Sequence, residues 1–239
     1  MTMQYMLIHV GAPGLDDAWN DEAWGALTAW LDDAIGSGVS IEGGPLGLDG
    51  DATTVKVRDG QLIVTDGPYA ETKEQVAGFD VIECASAEEA VGWARRHPHC
   101  WMGAVEVRAL VGGASVVHLP GPAAGKTRYM MLVCTDPAVS PRELADVEPV
   151  GPWVAEMDGR GLRLFGSELS PAGSARTVRG KDPGAIVTDG PFAETKEQIV
   201  GFDVLECADL DEAIEVAARH PMARAGVVEV RPFRSLGEE

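Results

Sequence analysis

The side chains most able to do chemistry lie in one long string that occurs twice. Residues 64–85 and 187–208 match at 18 of 22 positions, and both contain T-D-G-P-[YF]-A-E-T-K-E-Q. Each copy supplies an aspartate before Gly-Pro (Asp66, Asp189), a glutamate and a lysine two residues apart (Glu71 and Lys73; Glu194 and Lys196), and a downstream R-H-P with His97 or His220. Each ends in an E-V-R strand bearing Arg108 or Arg231. Asp66 and Asp189 either accept amide hydrogen bonds in an Asx turn or act as general bases. An extended Glu71-x-Lys73 puts both side chains on one face. That face is either a solvated ion pair or a polar lining in which Lys73 and Lys196 hold an anion and Glu71 and Glu194 move a proton. His97 and His220 close a helix, where a cation is favoured by the macrodipole, and imidazole titrates near neutrality, so proton transfer is the other role. Arg108 and Arg231 either pair with the adjacent glutamate or hold a carboxylate bidentately. The candidate catalytic set is thus Asp66, His97, Asp189 and His220. The candidate ligand-binding set is Glu71, Lys73, Arg108, Glu194, Lys196 and Arg231.

The elements that must position these residues repeat as well. An offset of 123 pairs Trp30 with Trp153, Gly36 with Gly159, and Val105–Arg108 with Val228–Arg231. Two domains of about 110 residues follow: residues 1–110 and 128–239, with a Gly-, Ala- and Pro-rich linker over 111–127. In the first repeat, Tyr5–Val10 reads as a buried strand. Trp19, Ala23, Ala26, Leu27, Trp30, Leu31 and Ala34 recur at helical spacing, and Gly36 and Gly38 end that helix. Thr53–Arg58 and Leu62–Thr65 flank Asp59-Gly60, a hairpin signal. Val76–Cys84 is a further strand. Ser86 with Glu89, and Asp209 with Glu212, read as helix-start capping pairs. Gly103–Leu110 is the last strand. The order is βαββαβ with an added hairpin, an α+β ferredoxin-like unit.

Composition narrows the function. The chain has 239 residues and a formal net charge of −19, which repels phosphate backbones, so nucleic acid is not an expected partner. The halves differ in charge, −12 for residues 1–120 and −7 for 121–239. No apolar run is long enough to span a membrane, and no signal peptide is read at the start. Four scattered cysteines without a CxxC pair suggest a reduced, cytoplasmic protein, and Cys84 and Cys207 read as buried strand thiols. No phosphate loop, GxSxG, HExxH or dinucleotide fingerprint occurs, so no cofactor is expected. His97, His99 and Cys100 do not make an expected metal site, because Met222 and Ala223 follow Pro221 in the second copy.

The TDGP-[YF]-x-E-x-KE string, with the R-H-P and V-E-V-R segments, resembles the YCII-related family of DGPF type, over essentially the whole chain and twice. The resemblance implies a dimeric α+β barrel, here an intrachain pseudo-dimer open to further homodimerisation. It also implies a small organic molecule as partner, which the Lys73 and Lys196 reading above would make an anionic one. Some relatives act on such molecules through a His–Asp pair whose histidine lies on the first helix, where this chain has Trp24 and Trp30 but no histidine, and Trp153 and Glu156 in the second copy. Two functions follow: a cofactor-independent lyase or isomerase acting by proton transfer on a small organic acid, or a non-catalytic ligand-binding or regulatory module, since members of this type are often encoded near extracytoplasmic-function sigma factors.

Overall fold

A computed structural model describes residues 2–12, 19–47, 49–69, 75–111, 116–136, 147–192 and 198–234. The first repeat forms β1 (Met3–Gly11), α1 (Asp21–Gly36), β2 (Ser40–Pro45), β3 (Thr53–Arg58), β4 (Gln61–Asp66), β5 (Gln75–Cys84), α2 (Ala87–Arg96) and β6 (Ala104–Val111). The second forms β7 (Thr127–Cys134), α3 (Gly151–Gly159), β8 (Arg163–Leu169), β9 (Arg176–Arg179), β10 (Ile186–Asp189), β11 (Ile199–Cys207), α4 (Leu210–Arg219), the short α5 (Met222–Ala225) and β12 (Val227–Pro232). The fold is therefore mixed α+β, and the named strand pairs within each compact unit are antiparallel.

The helix starts follow the local chemistry. Asn20 caps α1, its side chain accepting from Ala23 N at 3.0 Å. Ser86 Oγ accepts from Glu89 N, while the Glu89 carboxylate reaches back to Ala85 N at 2.8 Å. Asp209 and Glu212 repeat this at α4. Each reciprocal pair satisfies backbone donors that the first helical turn leaves open.

The chain divides into two compact units, and the division cuts across the repeats. The first unit is Met1–Pro45, Thr72–Leu119 and Leu169–Glu194; the second is Leu46–Glu71, Pro120–Glu168 and Thr195–Glu239. The hairpin β3–β4 thus belongs to the second unit and β9–β10 to the first. In the first unit the strand order is β2-β5-β1-β6-β9-β10, with Glu106 opposite Thr177 and Val105 opposite Val178. In the second it is β8-β11-β7-β12-β3-β4, with Val228 opposite Val55. The sequence gives each repeat an added hairpin without assigning it to a sheet. In the structure each hairpin pairs in the other unit, β9 with β6 and β3 with β12.

Each unit has its own core. Trp30, Trp93, Tyr5, Leu7, Ile82 and Val107 pack together in the first, joined by Val178 and Ala185 from the received hairpin. Trp153, Met157, Tyr129, Met131, Leu205 and Val216 form the second, joined by Val55. The two tryptophans play one role: Trp30 Nε1 donates to Trp93 O at 3.1 Å and Trp153 Nε1 to Val216 O at 3.2 Å. Among the described residues, no helix is long and apolar enough to cross a membrane.

Candidate functional site

The T-D-G-P turn is built by backbone geometry. Gly67 and Gly190 have φ of +95° and +100°, the left-handed region that a Cβ disfavours. Thr54 Oγ1 donates to Gly67 O at 2.9 Å, and Thr177 Oγ1 to Gly190 O at 2.8 Å. Gly67 N donates to Ala52 O and Gly190 N to Ala175 O. The aspartates themselves point to solvent: Asp66 is exposed at the end of β4, and exposed Asp189 pairs with Arg176 at 3.1 Å. The residue after Gly-Pro is held next. Glu229 accepts from Tyr69 N at 2.9 Å in the second unit, and Glu106 accepts from Phe192 N at 2.9 Å in the first.

The E-V-R strand therefore clamps the turn that arrives from the other repeat. Arg108 bonds Glu106 at 3.0 Å and the Ser170 carbonyl, and Arg231 bonds Glu229 at 2.5 Å and Gly47 O at 3.3 Å. Both arginines and both glutamates are buried. Burial raises the Glu106 pKa, against the opposing pull of the Phe192 amide and Arg108. Glu71, Lys73, Glu194 and Lys196 lie outside the described residues.

A different group of side chains converges in the first unit. His9 on β1 sits opposite Gly78 of β5, and Asp80 lies two residues along β5 on the same face. Glycines make the room: a Cβ on Gly78 would stand 3.1 Å from His9 Nδ1, and one on Gly43 would collide with the Asp80 carboxylate. His97, just past α2, completes the group. His9 Nε2 is 2.9 Å and His97 Nε2 3.5 Å from Asp80 Oδ2. All three residues are buried, and these three atoms make no aligned hydrogen bond among the described residues. Close approach without alignment leaves buried polar atoms that ask for an explanation, and a reacting site is one.

Local hydrogen bonds set the proton positions. His97 Nδ1 accepts from His99 N at 3.2 Å, which leaves the proton of the neutral ring on Nε2, facing Asp80. His99 Nε2 lies 3.1 Å from Val10 O and donates to it. Burial pushes His97 well below the ordinary histidine range, with His9 and His99 adding to the effect. Burial likewise lowers His99 to about 3, assisted by His9 and opposed by the Val10 carbonyl. His97 is thus a neutral ring stacked on His9 at 4.4 Å and edge-on to Trp30 at 4.6 Å. The helix-end cation expected from the sequence does not form, because the ring is removed from water.

His9, Asp80 and His97 present ligand atoms within 4.8 Å of one another, a spacing that could hold a metal ion. The hydrogen bonding argues otherwise. A ligating Nε2 must be unprotonated, yet the His99 amide already takes the lone pair of Nδ1 and assigns the proton to Nε2.

The second unit keeps the frame and changes the chemistry. Asp203 lies against Gly166 as Asp80 lies against Gly43. His220 Nδ1 accepts from Met222 N at 3.1 Å, and its ring meets Trp153 edge-on at 4.6 Å. The counterpart of His9, however, is Val133. Asp203 is met by Arg163, whose Nε lies 2.5 Å away and whose guanidinium also reaches Asp158 at 3.1 Å. Burial raises Asp203 to about 7 even with Arg163 against it. Burial, then Arg163, lowers His220 to about 4.

Sequence reasoning reached His97 and His220 but missed His9 and Asp80. The signal was a histidine inside the apolar run Tyr5–Val10 that its counterpart, Val133, lacks. The thiols agree with the sequence reading. All four cysteines are buried, and burial pushes Cys84, Cys100 and Cys207 up to about 12.

The YCII-related domain family matches the chain twice, over residues 3–112 and 127–236. A protein of Rhizobium meliloti (strain 1021), described as uncharacterized, is 47% identical over 69 residues, which span 28% of this chain and 56% of that protein. The match thus covers about half the length of that relative.

Proposed function

Because the chain belongs to the YCII-related domain family through both of its repeats, we propose that it is a cofactor-independent proton-transfer enzyme of lyase or isomerase type, acting on a small organic molecule at His9, Asp80 and His97. The observation that carries this reading is the approach of His9 Nε2 to Asp80 Oδ2, 2.9 Å in a buried setting. Asp80 keeps the His9 proton on Nε2 and leaves Nδ1 as the base. A substrate C–H proton moves to Nδ1, and the Asp80 carboxylate stabilises the imidazolium that forms. His97, neutral with its Nε2 facing the carboxylate at 3.5 Å, borders Asp80 on the other side. The proton is then returned to another substrate atom, or the substrate expels a leaving group that carries the electron pair.

Among the described residues, the first unit alone has this arrangement. In the second, Arg163 neutralises Asp203 and Val133 offers no base, so this reading gives each chain one proton-transfer site. The second unit suits the alternative role, a ligand-binding or structural module. The finer architecture belongs to the same proposal: two ferredoxin-like units forming an intrachain pseudo-dimeric α+β barrel. The reciprocal exchange of hairpins supports it.

The test is solvent-deuterium exchange into a panel of small carbonyl compounds, followed by NMR with wild type and His9→Ala. Wild type is expected to label at least one compound, and His9→Ala to label it at least 100-fold more slowly with an unchanged circular dichroism spectrum. Equal labelling by the two proteins would count against the proposal.

A further inference from the structure

The first unit differs from the second by more than His9. It carries His99 where the second has Met222, Trp24 where the offset gives Val147, and Trp19 where it gives Arg142. These four residues are scattered in sequence, yet the fold places them in one chain of ring contacts. Trp24 and Trp19 lie 4.8 Å apart between centroids, Trp19 and His99 6.3 Å, and His99 and His9 5.1 Å. Burial increases along this path. Trp24 is 41% exposed, Trp19 half-buried, and His99 and His9 buried.

A tryptophan left 41% exposed beside another tryptophan is a costly use of apolar surface in the absence of a partner. In this unit the aromatic pair leads directly to the imidazole that Asp80 faces. The core does not need it, since Trp30 and Trp153 already supply the equivalent core tryptophans in the two units. Indole faces attract flat π-systems and cations.

Charge selects between ligands. Burial keeps His97 and His99 neutral, Asp80 lies beside them, and the first turn of α1 adds Asp21. Among the described residues of this unit, Arg108 is committed to Glu106 and Ser170, and Lys181 to Glu22 with its ammonium over the Trp101 ring. The whole chain carries −19. An anion entering past Trp24 meets an opposing field.

We infer that Trp19 and Trp24 form the substrate platform of the first unit, and that the site takes a flat aromatic or conjugated molecule without negative charge, stacked on the indoles beside His99 and His9. This deepens the proton-transfer reading and rests on it for the identity of the site. It narrows the small organic molecule to a planar, uncharged one.

The experiment titrates the full-length protein with benzamide, cyclohexanecarboxamide and benzoate, following the indole N–H signals by NMR. Benzamide is flat and neutral, the second probe has the same polar group on a saturated ring, and the third adds a negative charge. Saturation by benzamide at one site per chain is expected, with affinity at least tenfold above either of the others and with shifts at Trp19 and Trp24. Trp24→Leu, a change at an exposed position, should weaken benzamide at least fivefold. Equal binding of cyclohexanecarboxamide, tighter binding of benzoate, no saturable binding of benzamide, or an unaltered benzamide affinity in Trp24→Leu would each overturn the inference. The His9→Ala protein separates the two ideas. It should still bind benzamide, so loss of deuterium exchange with stacking retained bears on the proton transfer, and loss of stacking with exchange retained bears on the platform.

Discussion

His9 and Asp80 meet across neighbouring strands in the first unit, with Nε2 at 2.9 Å from Oδ2, while the equivalent Asp203 meets Arg163 at 2.5 Å in the second. The same glycine-backed carboxylate thus faces a titratable ring in one unit and a permanent cation in the other. In the proposed reaction the first pairing gives and takes the proton. In the second only the arginine has a fixed charge, because guanidinium does not deprotonate in proteins, and burial raises its Asp203 partner to about 7.

The hydrogen bond from His99 N to His97 Nδ1 makes a metal-free site the expected state. A bound metal would stabilise the folded chain in proportion to its occupancy. Extensive dialysis against EDTA should therefore leave the melting temperature unchanged, and added zinc should not raise it. A rise with zinc that His9→Ala abolishes would contradict the proton assignment on His97.

Stability should fall on mild acidification. His220 titrates at about 4 in the folded chain against 6.5 when exposed. Between these values the unfolded chain holds a proton that the folded chain excludes, so stability is present above 6.5 and is lost as pH falls toward 4. The ceiling for this one group is about 3 kcal/mol. His99, lowered to about 3, acts in the same direction. Asp203, raised to about 7, acts in the opposite one, since the folded chain holds its proton through the same window. Urea unfolding at pH 7 and pH 4.5 should show wild type losing more stability than His220→Gln, which keeps an acceptor near Met222 N. An equal loss in the two proteins would remove His220 from the explanation.

The Glu106–Arg108 pair should matter for stability. Glu106→Ala leaves the Arg108 charge buried with one carboxylate fewer and frees Phe192 N, a change that typically costs about 3–5 kcal/mol. Glu106→Gln retains acceptors and should cost less. Adding Arg108→Ala to Glu106→Ala should recover part of the loss, because the stranded charge is gone. Additive losses in chemical denaturation would show that the two side chains do not act as a pair.

Gly67→Ala and Gly190→Ala place a Cβ on left-handed backbone and should each cost about 1–2 kcal/mol. Gly92→Ala, in α2 with open space around its Cα, should be neutral or stabilising. Thermal melts of the three variants check the order. A neutral Gly67→Ala would mean that the turn does not require positive φ.

Much of the fold was legible because it rests on local rules. Ser86 with Glu89, the tryptophan at position 30 or 153, and Asp59-Gly60 between two strands each mark their element by residue type. The exchange of hairpins was not legible. Val55 and Val178 look alike as strand residues, and nothing in either hairpin says which strand, β6 or β12, it will join. The site was half legible. His97 and His220 stood out beside Pro, whereas His9 was hidden in a strand read for its apolar neighbours, and Asp80 in a repeat read for its turn. What assembles them is strand register, His9 opposite Gly78 with Asp80 two residues on, and register is set by long-range pairing that sequence spacing does not state. Repetition of the TDGP string pointed toward Asp66 and Asp189, yet the geometry uses that string to seat a turn on Glu106 or Glu229.

The most direct measurement compares turnover of the labelled compound by Asp80→Asn and Asp203→Asn, two isosteric changes at equivalent positions. Asp80→Asn should lower the exchange rate at least 100-fold, in the range expected when the partner of a general base is removed, while Asp203→Asn stays within threefold of wild type. Loss of exchange in Asp203→Asn with Asp80→Asn near wild type, or loss in neither, would contradict a single proton-transfer site at His9, Asp80 and His97.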